Sequence, residues 1–290
     1  MTNKLILGTV QLGLNYGVNN ISGQVSIEES TKILTDAFNL GISTLDTAEL
    51  YGDSHKIIGD FHRRYKNIQF KIITKFPKDF KIQSIEQKVY NYIELLAVNN
   101  IEVLMFHSFE SYKSHKDALN LFLKLKLNGI IKHIGVSLYK NEDIESILDD
   151  TAISIVQLPF NLLDNISLRG ELISKLKQRG KFVHTRSAFL QGLFFKNIDD
   201  SNTIVQKLSF ELIALNKIKD KLNCTIEELA LAYCLQQKNI DNVIIGVDSS
   251  SQLNCNYKAS KYTLDKTFID LIDNINVKNI HLLNPSTWKK

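Results

Sequence analysis

Eight short apolar runs, each followed by a longer amphipathic stretch, recur along this chain, and that alternation limits the possible folds more than any single motif does. The runs lie at 5–9, 43–47, 70–75, 103–107, 131–137, 154–158, 182–185 and 243–246. They are rich in Ile, Val and Leu, the pattern of strands buried on both faces of a parallel sheet. Between them, apolar residues recur with helical spacing over 27–40, 53–65, 85–98, 116–127, 142–148, 168–179, 203–222 and 226–237, and again over 266–273. Strand starts are 23 to 38 residues apart, except for a gap of about 60 before the last. Eight β/α units of this length predict an α/β fold, a (β/α)8 TIM barrel. A doubly wound open sheet is the alternative topology. Its cofactor signatures are missing, because no G-x-G-x-x-G follows the first run and no G-x-x-x-x-G-K-[ST] occurs. The 3 prolines and 13 glycines form no linker, so one domain over 1–290 is expected.

Helix ends carry their own chemistry. Ser26-x-x-Glu29 and Thr225-x-x-Glu228 have capping-box spacing, in which hydroxyl and carboxylate each satisfy a backbone N–H of the first turn. Asn141 is a candidate cap for the helix entered through Glu142 and Asp143, and Gly41 and Gly180 stand where helices end.

Hydrophobic residues (44%) and charged residues (23%) are balanced as in globular chains, which excludes disorder. Lys plus Arg (35) exceed Asp plus Glu (31) by only 4, and the basic residues are scattered. Nucleic acid and membrane surfaces are therefore not expected partners. No run approaches the roughly 18 apolar residues of a membrane span, and the start lacks a signal-peptide apolar core. The three cysteines, Cys224, Cys234 and Cys255, are odd in number and have no C-x-x-C spacing, so no metal site is expected and a reducing cytoplasm fits.

In a β/α barrel the site lies at the carboxyl ends of the strands. The second run ends S-T-L-D-T-A-E-L-Y-G, with Asp46 at its tip and Tyr51 in the loop; the third ends in Lys75 and the fourth in His107. Taken singly, each has an ordinary structural use as a cap, a surface charge, a rim cover or a core histidine. Together they suit proton transfer at a carbonyl oxygen. A phenol with an ordinary pKa near 10 needs a nearby cation to ionise at neutral pH, and Lys75 supplies one. Asp46 can anchor that cation, and His107 can orient the oxygen. No side chain carries hydride, so a redox cofactor is required.

At these residues the chain resembles the aldo/keto reductases. The D-T-A-x-x-Y-G segment, the third-strand Lys and the fourth-strand His match that family's tetrad in order and spacing. L-G-T-V-Q-L-G, I-K-H-I-G-V-S, V-Q-L-P-F-N, R-S-A-F-L-Q-G-L and V-I-I-G-V extend the match end to end. The resemblance implies an NAD(P)H-dependent oxidoreductase acting on a CH–OH group, with Tyr51 as general acid/base, Lys75 as its pKa-lowering partner, Asp46 as the anchor of that Lys and His107 orienting the carbonyl. It implies cofactor contacts at Gly8, Thr9 and Asp46, nicotinamide contacts at Ser137 and Gln157, and Arg186 where an aromatic ring often stacks. Ser187, Gln191 and Gly192 fall in the pyrophosphate loop, and Gly246, Gln252 and Asn256 near the adenosine end.

Two positions depart from the family pattern. Leu138 replaces a common Asn, and G-V-D-S-S-S-Q-L-N-C-N lacks the Lys and Arg that grip a 2′-phosphate. Asp248 opposes such a phosphate, whereas serines 249 to 251 and Lys258 can serve it, which leaves NADPH ahead of NADH as the expected cofactor. Substrate contacts are expected at Tyr16, Tyr51, His107 and Phe109, with Asn15, Glu110, Tyr112 and Trp288 nearby. A short tail predicts an open site for a carbonyl or sugar-like substrate. Two other activities use the same barrel: a lyase or aldolase forming a Schiff base at Lys75, and a cofactor-sensing subunit without turnover.

Overall fold

The computed structural model describes residues 3–20 and 22–288. Eight parallel strands close on themselves in chain order: β1 (Leu5–Gly8), β2 (Thr44–Asp46), β3 (Lys71–Phe76), β4 (Ile101–Phe106), β5 (Ile131–Ser137), β6 (Ile155–Pro159), β7 (Phe182–Arg186) and β8 (Asn242–Gly246). Closure is made by β1 and β8, paired from Leu5↔Val243 to Gly8↔Gly246. Helices lie between consecutive strands, so the chain is a (β/α)8 TIM barrel.

Strand alternation sorts the side chains into two compartments. Outward positions such as Leu45, Ile72, Leu104 and Val156 join the helices in the main core. Ile6, Ile73, Val103, Met105, Ile155 and Ile244 form a separate cluster that fills the barrel interior. One inward step further along each strand brings Gly8, Lys75, His107, Gln157 and Gly246 to the mouth. Register puts Asp46 level with Ile73 and Ser137 level with Gln157. The period of two that buries the interior cluster therefore also aims the polar strand tips at one opening.

The opposite end is held by the ammonium groups of half-buried Lys4 and buried Lys181. Lys4 Nζ donates to the carbonyls of Leu235, Gln237 and Ile240 at 3.2, 3.3 and 2.9 Å, and Lys181 Nζ to those of Asp150 and Ile153 at 2.7 and 2.8 Å. These contacts tie together carbonyls of loops and helix ends.

The expected helices are present, with several adjustments. Thr225 and Glu228 form the full capping box; Ser26 accepts from the Glu29 N–H, but the reciprocal contact is not made, because Glu29 Oε1 instead accepts from the Ser250 N–H at 2.8 Å. Lys140, not Asn141, precedes the helix Asn141–Ser146, and the Asn141 side chain bridges to Leu168 and Arg169. The stretch 203–222 breaks at Leu208 into Thr203–Lys207 and Ser209–Leu222. Gly41 and Gly180 adopt φ of +76° and +71°, as C-terminal glycines do. Short helices at Val10–Gly13 and Phe109–Ser114, and a longer one at Ser250–Ala259, were not apparent from periodicity. Among the described residues no helix is long and apolar enough to cross a membrane.

Candidate active site

Tyr51 is carried by a turn whose backbone is pressed against the first helix. A Cβ on Gly13 would lie 1.8 Å from the Tyr51 carbonyl oxygen, and one on Gly52, itself at φ +53°, would lie 2.3 Å from the Gly13 oxygen. Both positions require glycine, and their contact sets how far the Tyr51 loop reaches over the mouth. The Tyr51 and Ser54 N–H groups close the turn by donating to Ala48 and Tyr51 carbonyls, each at 3.0 Å.

Beneath the phenol lies a buried pair. Lys75 Nζ donates to Asp46 Oδ1 at 2.5 Å, to the Thr47 carbonyl at 3.1 Å and to the Tyr51 hydroxyl at 3.5 Å. Its side chain is 1% exposed. Gln157 Nε2 donates to the other Asp46 oxygen at 2.8 Å, tying β6 to β2 across the interior. Burial pulls the Lys75 ammonium down, and Asp46 opposes that loss of charge. Burial, followed by the Asp46 carboxylate, holds the Tyr51 phenol well above its ordinary value. The cation that opposes this rise is Arg186, and burial outweighs it.

His107 is the residue just past β4, its ring edge-on to Tyr51 with centroids 5.8 Å apart. Burial, then the Lys75 charge, lowers its pKa to about 4, so the ring is neutral at working pH. Its Nδ1 is buried without a hydrogen-bond partner.

Across the mouth, Arg186 Nε donates to Ser137 Oγ at 3.4 Å and Nη2 to the Leu138 carbonyl at 3.2 Å, while its guanidinium stacks on Tyr139, Cζ 3.9 Å from the ring centroid. Leu138 is fully buried in the core, so the departure from Asn packs the barrel wall rather than facing the mouth. Tyr139 was not singled out in the sequence; the signal was an aromatic one residue beyond a strand-end dipeptide.

The remaining expected cofactor residues divide by what already occupies them. The Thr9 hydroxyl donates to the Asp46 carbonyl and accepts from Ser54, so it is committed to structure. Gly8 and Gly246 pair at the β1–β8 mouth, where a Cβ on Gly246 would come within 2.5 Å of the Gln11 amide. Gln11 is buried, its Oε1 is unpartnered, and sequence reading passed it over. Ser187, Leu190, Gln191 and Gly192 all have positive φ, 63°, 48°, 54° and 94°, an unusual concentration in non-glycine residues. The loop after β1 clasps this segment: Val18 N–H donates to Gln191 O at 3.1 Å, Asn19 to Gly192 O at 2.5 Å, and Gln191 to the Tyr16 hydroxyl at 2.6 Å. Tyr16 thereby stands at the rim, its phenol pushed up to about 12 mainly by burial.

At the other end, Ser249 caps the helix Ser250–Ala259 and Gln252 Oε1 accepts from the Asp248 N–H. Ser250 Oγ and Asn254 donate to Asp36 at 2.5 and 2.9 Å. Of the serines expected to serve a phosphate, Ser250 thus already donates to the Asp36 carboxylate and Ser249 is engaged as the helix cap. Asn256 is buried on the same helix. Phe109 packs beside Tyr112, and Trp288 donates to Leu282 within its own tail, so neither is drawn to Tyr51 by a direct contact. Among the described residues no cluster of metal-ligating side chains occurs.

Residues 4–277 match the model of the aldo/keto reductase family. The chain is 24% identical to the NADH-specific methylglyoxal reductase of Escherichia coli, over 89% of this chain and 90% of that one, and 24% identical to L-galactose dehydrogenase of Arabidopsis thaliana, over 83% and 81%. Among solved structures, an aldo-keto reductase from Bacillus halodurans superposes with TM-score 0.77 at 19% identity, covering 94% of this chain and 92% of that one. Glycerol dehydrogenase from Gluconobacter oxydans superposes with TM-score 0.76 at 20% identity, covering 97% and 93%. With the barrel, the ordered motifs and a family match over nearly the whole length in agreement, this chain belongs to the aldo/keto reductase family.

Proposed function

We propose that the protein is a cytoplasmic, nicotinamide-dependent carbonyl reductase whose proton donor is Tyr51. The observation that carries this reading is the Lys75 ammonium, buried between Asp46 and the Tyr51 hydroxyl and beside a neutral His107. When bound, a reduced nicotinamide supplies the hydride that the chain's own residues lack. The protein's part is to move the proton and place the substrate. The protonated Tyr51 hydroxyl donates to the carbonyl oxygen as hydride arrives at the carbonyl carbon, giving the alcohol. Lys75 stabilises the phenolate left behind, Asp46 and Thr47 keep Lys75 in place, and the His107 N–H points the substrate oxygen at Tyr51.

The mouth suits the cofactor in its donor chemistry. Gln11 Oε1 and His107 Nδ1 are buried without partners, and Ser187, Leu190, Gln191 and Gly192 hold positive φ, a conformation found in anion-binding backbone concavities. Ser137 and Gln157 would hold the carboxamide. At the adenosine end, Glu29 already accepts from the Ser250 N–H and Asp36 from its hydroxyl, with Asp248 adjoining. A 2′-phosphate there meets carboxylates in place of Lys or Arg, so we read NADH, rather than the NADPH expected from sequence, as the favoured cofactor. The open rim around Tyr16 suits a small carbonyl or sugar-like substrate. A Schiff base at Lys75 would require breaking all three of its hydrogen bonds, which disfavours the lyase reading. The test is oxidation of NADH and NADPH across a panel of aldehydes, ketones and sugars, with Tyr51→Phe as control. Cofactor binding without turnover on any carbonyl would overturn the assignment in favour of a sensing role.

A further inference from the structure

Two cations face the mouth from the barrel interior, and they differ in one respect. Lys75 is neutralised by Asp46 at 2.5 Å. Among the described residues Arg186 pairs with no carboxylate: its contacts are the Ser137 hydroxyl, the Leu138 carbonyl and the Tyr139 ring, all uncharged. Those three contacts also fix the guanidinium, which does not deprotonate in proteins. Its positive charge is felt at Tyr51, His107 and Lys75 alike, so it lies within electrostatic reach of the whole mouth.

A hydride carrier serving a carbonyl held by Tyr51 and His107 has to bring its donor carbon within about 3.5 Å of that carbonyl, and so it shares the mouth with Arg186. The reduced nicotinamide ring is neutral; loss of hydride leaves it with a unit positive charge. We propose that Arg186 makes this pocket select the reduced over the oxidised nicotinamide, so that the enzyme loads with reduced cofactor and releases the oxidised form. The inference rests on the carbonyl-reductase reading above. It also gives a role to the departure from an aromatic ring at this position: a neutral ring stacks on both redox forms with no comparable penalty, whereas a fixed cation repels one of them. Two unit charges about 5 Å apart, at an effective dielectric of about 20–40, change the ratio of the two dissociation constants by about tenfold or more.

The test is isothermal titration of the purified enzyme with NADH and with NAD+, repeated with NADPH and NADP+, for the wild type, Arg186→Lys and Arg186→Met. The wild type is expected to bind the reduced form at least about tenfold more tightly. That ratio should persist in Arg186→Lys and collapse in Arg186→Met through tighter binding of the oxidised form. Equal wild-type affinity for the two forms overturns the inference without recourse to any variant. An Arg186→Met protein that loses affinity for both forms equally also overturns it, because stacking rather than charge would then be the contribution. Failure of the wild type to bind either form overturns the carbonyl-reductase reading, and the inference with it.

Discussion

Replacing Gly13 by Ala tests whether backbone contact, rather than the phenol's own surroundings, sets the position of Tyr51. The added Cβ would lie 1.8 Å from the Tyr51 carbonyl oxygen, 2.8 Å from the Ser54 nitrogen and 2.9 Å from the Tyr51 carbonyl carbon. All three are backbone atoms, so no side-chain rotation relieves the overlap. An ordinary contact near 3.4 Å requires the Tyr51 turn or the helix Val10–Gly13 to withdraw by about 1.5 Å. Overpacking of this kind costs about 1–3 kcal/mol, equivalent to a fall in melting temperature of roughly 2–10 °C for a chain of this size. The larger effect is on the reaction: misplacing a reacting group by about 1 Å costs about a hundredfold in rate. Steady-state kinetics with NADH and the best carbonyl of the panel, alongside a thermal melt, separates the two effects. We expect kcat to fall about a hundredfold with a modest loss of stability. A Gly13→Ala enzyme with wild-type kcat and melting temperature would refute the claim that this contact positions the phenol.

Four further outcomes follow from the same geometry. Tyr51→Phe removes the phenolic hydroxyl that we propose as the proton donor and should lower turnover by about 100- to 10,000-fold while leaving cofactor affinity in titration nearly unchanged; retained turnover removes Tyr51 from the mechanism. Asp46→Asn leaves the buried Lys75 charge without its counter-ion, a loss of about 3–5 kcal/mol readable as a drop of about 10 °C in melting temperature, and an unchanged melt would show that the pair is not maintained in solution. His55 and His184 are buried, and burial lowers each pKa to about 4 from an ordinary 6.5. Both are neutral when folded, so the unfolded chain binds more protons between pH 4 and 6.5; stability should be full above pH 6.5 and decline toward pH 4, and equal urea midpoints at pH 7 and pH 5 would contradict this. Finally, NADH should bind at least as tightly as NADPH, and Asp248→Lys should raise NADPH affinity while sparing NADH; a wild-type preference for NADPH would show that the carboxylates at the adenosine end do not govern the choice.

The barrel was legible because each strand is an apolar run and each helix an amphipathic one, so the two periods alternate visibly. Residues 131–137 and 266–273 match to the residue. The tetrad was legible for a related reason: Asp46, Lys75 and His107 stand at strand ends, where inward parity is fixed by interior neighbours such as Ile73 and Met105. What the sequence concealed depends on contacts between distant segments. Gly13 meets Tyr51, Gln11 meets Gly246, and Glu29 and Asp36 meet Ser250 and Asn254. None of these has a local signature, since each contact joins segments far apart in the chain. The phenol's raised pKa was likewise hidden, because a balance of burial, Asp46 and Arg186 depends on distances that spacing along the chain does not give.

The seam between β1 and β8 bears on how the chain reaches this state. Leu5 pairs with Val243, and Lys4 latches onto carbonyls at residues 235, 237 and 240, so the first strand waits for nearly the whole polypeptide before it gains its second neighbour. Bringing such remote segments together is slow relative to forming local helices. During synthesis, a growing half-barrel presents two unpaired strand edges, at β1 and at the newest strand, each a template for pairing with another nascent chain. Both edges therefore stay open until residues 242–246 have been made and paired with β1. A pause in synthesis before residue 242 prolongs the exposure of two edges that the finished, closed barrel does not present.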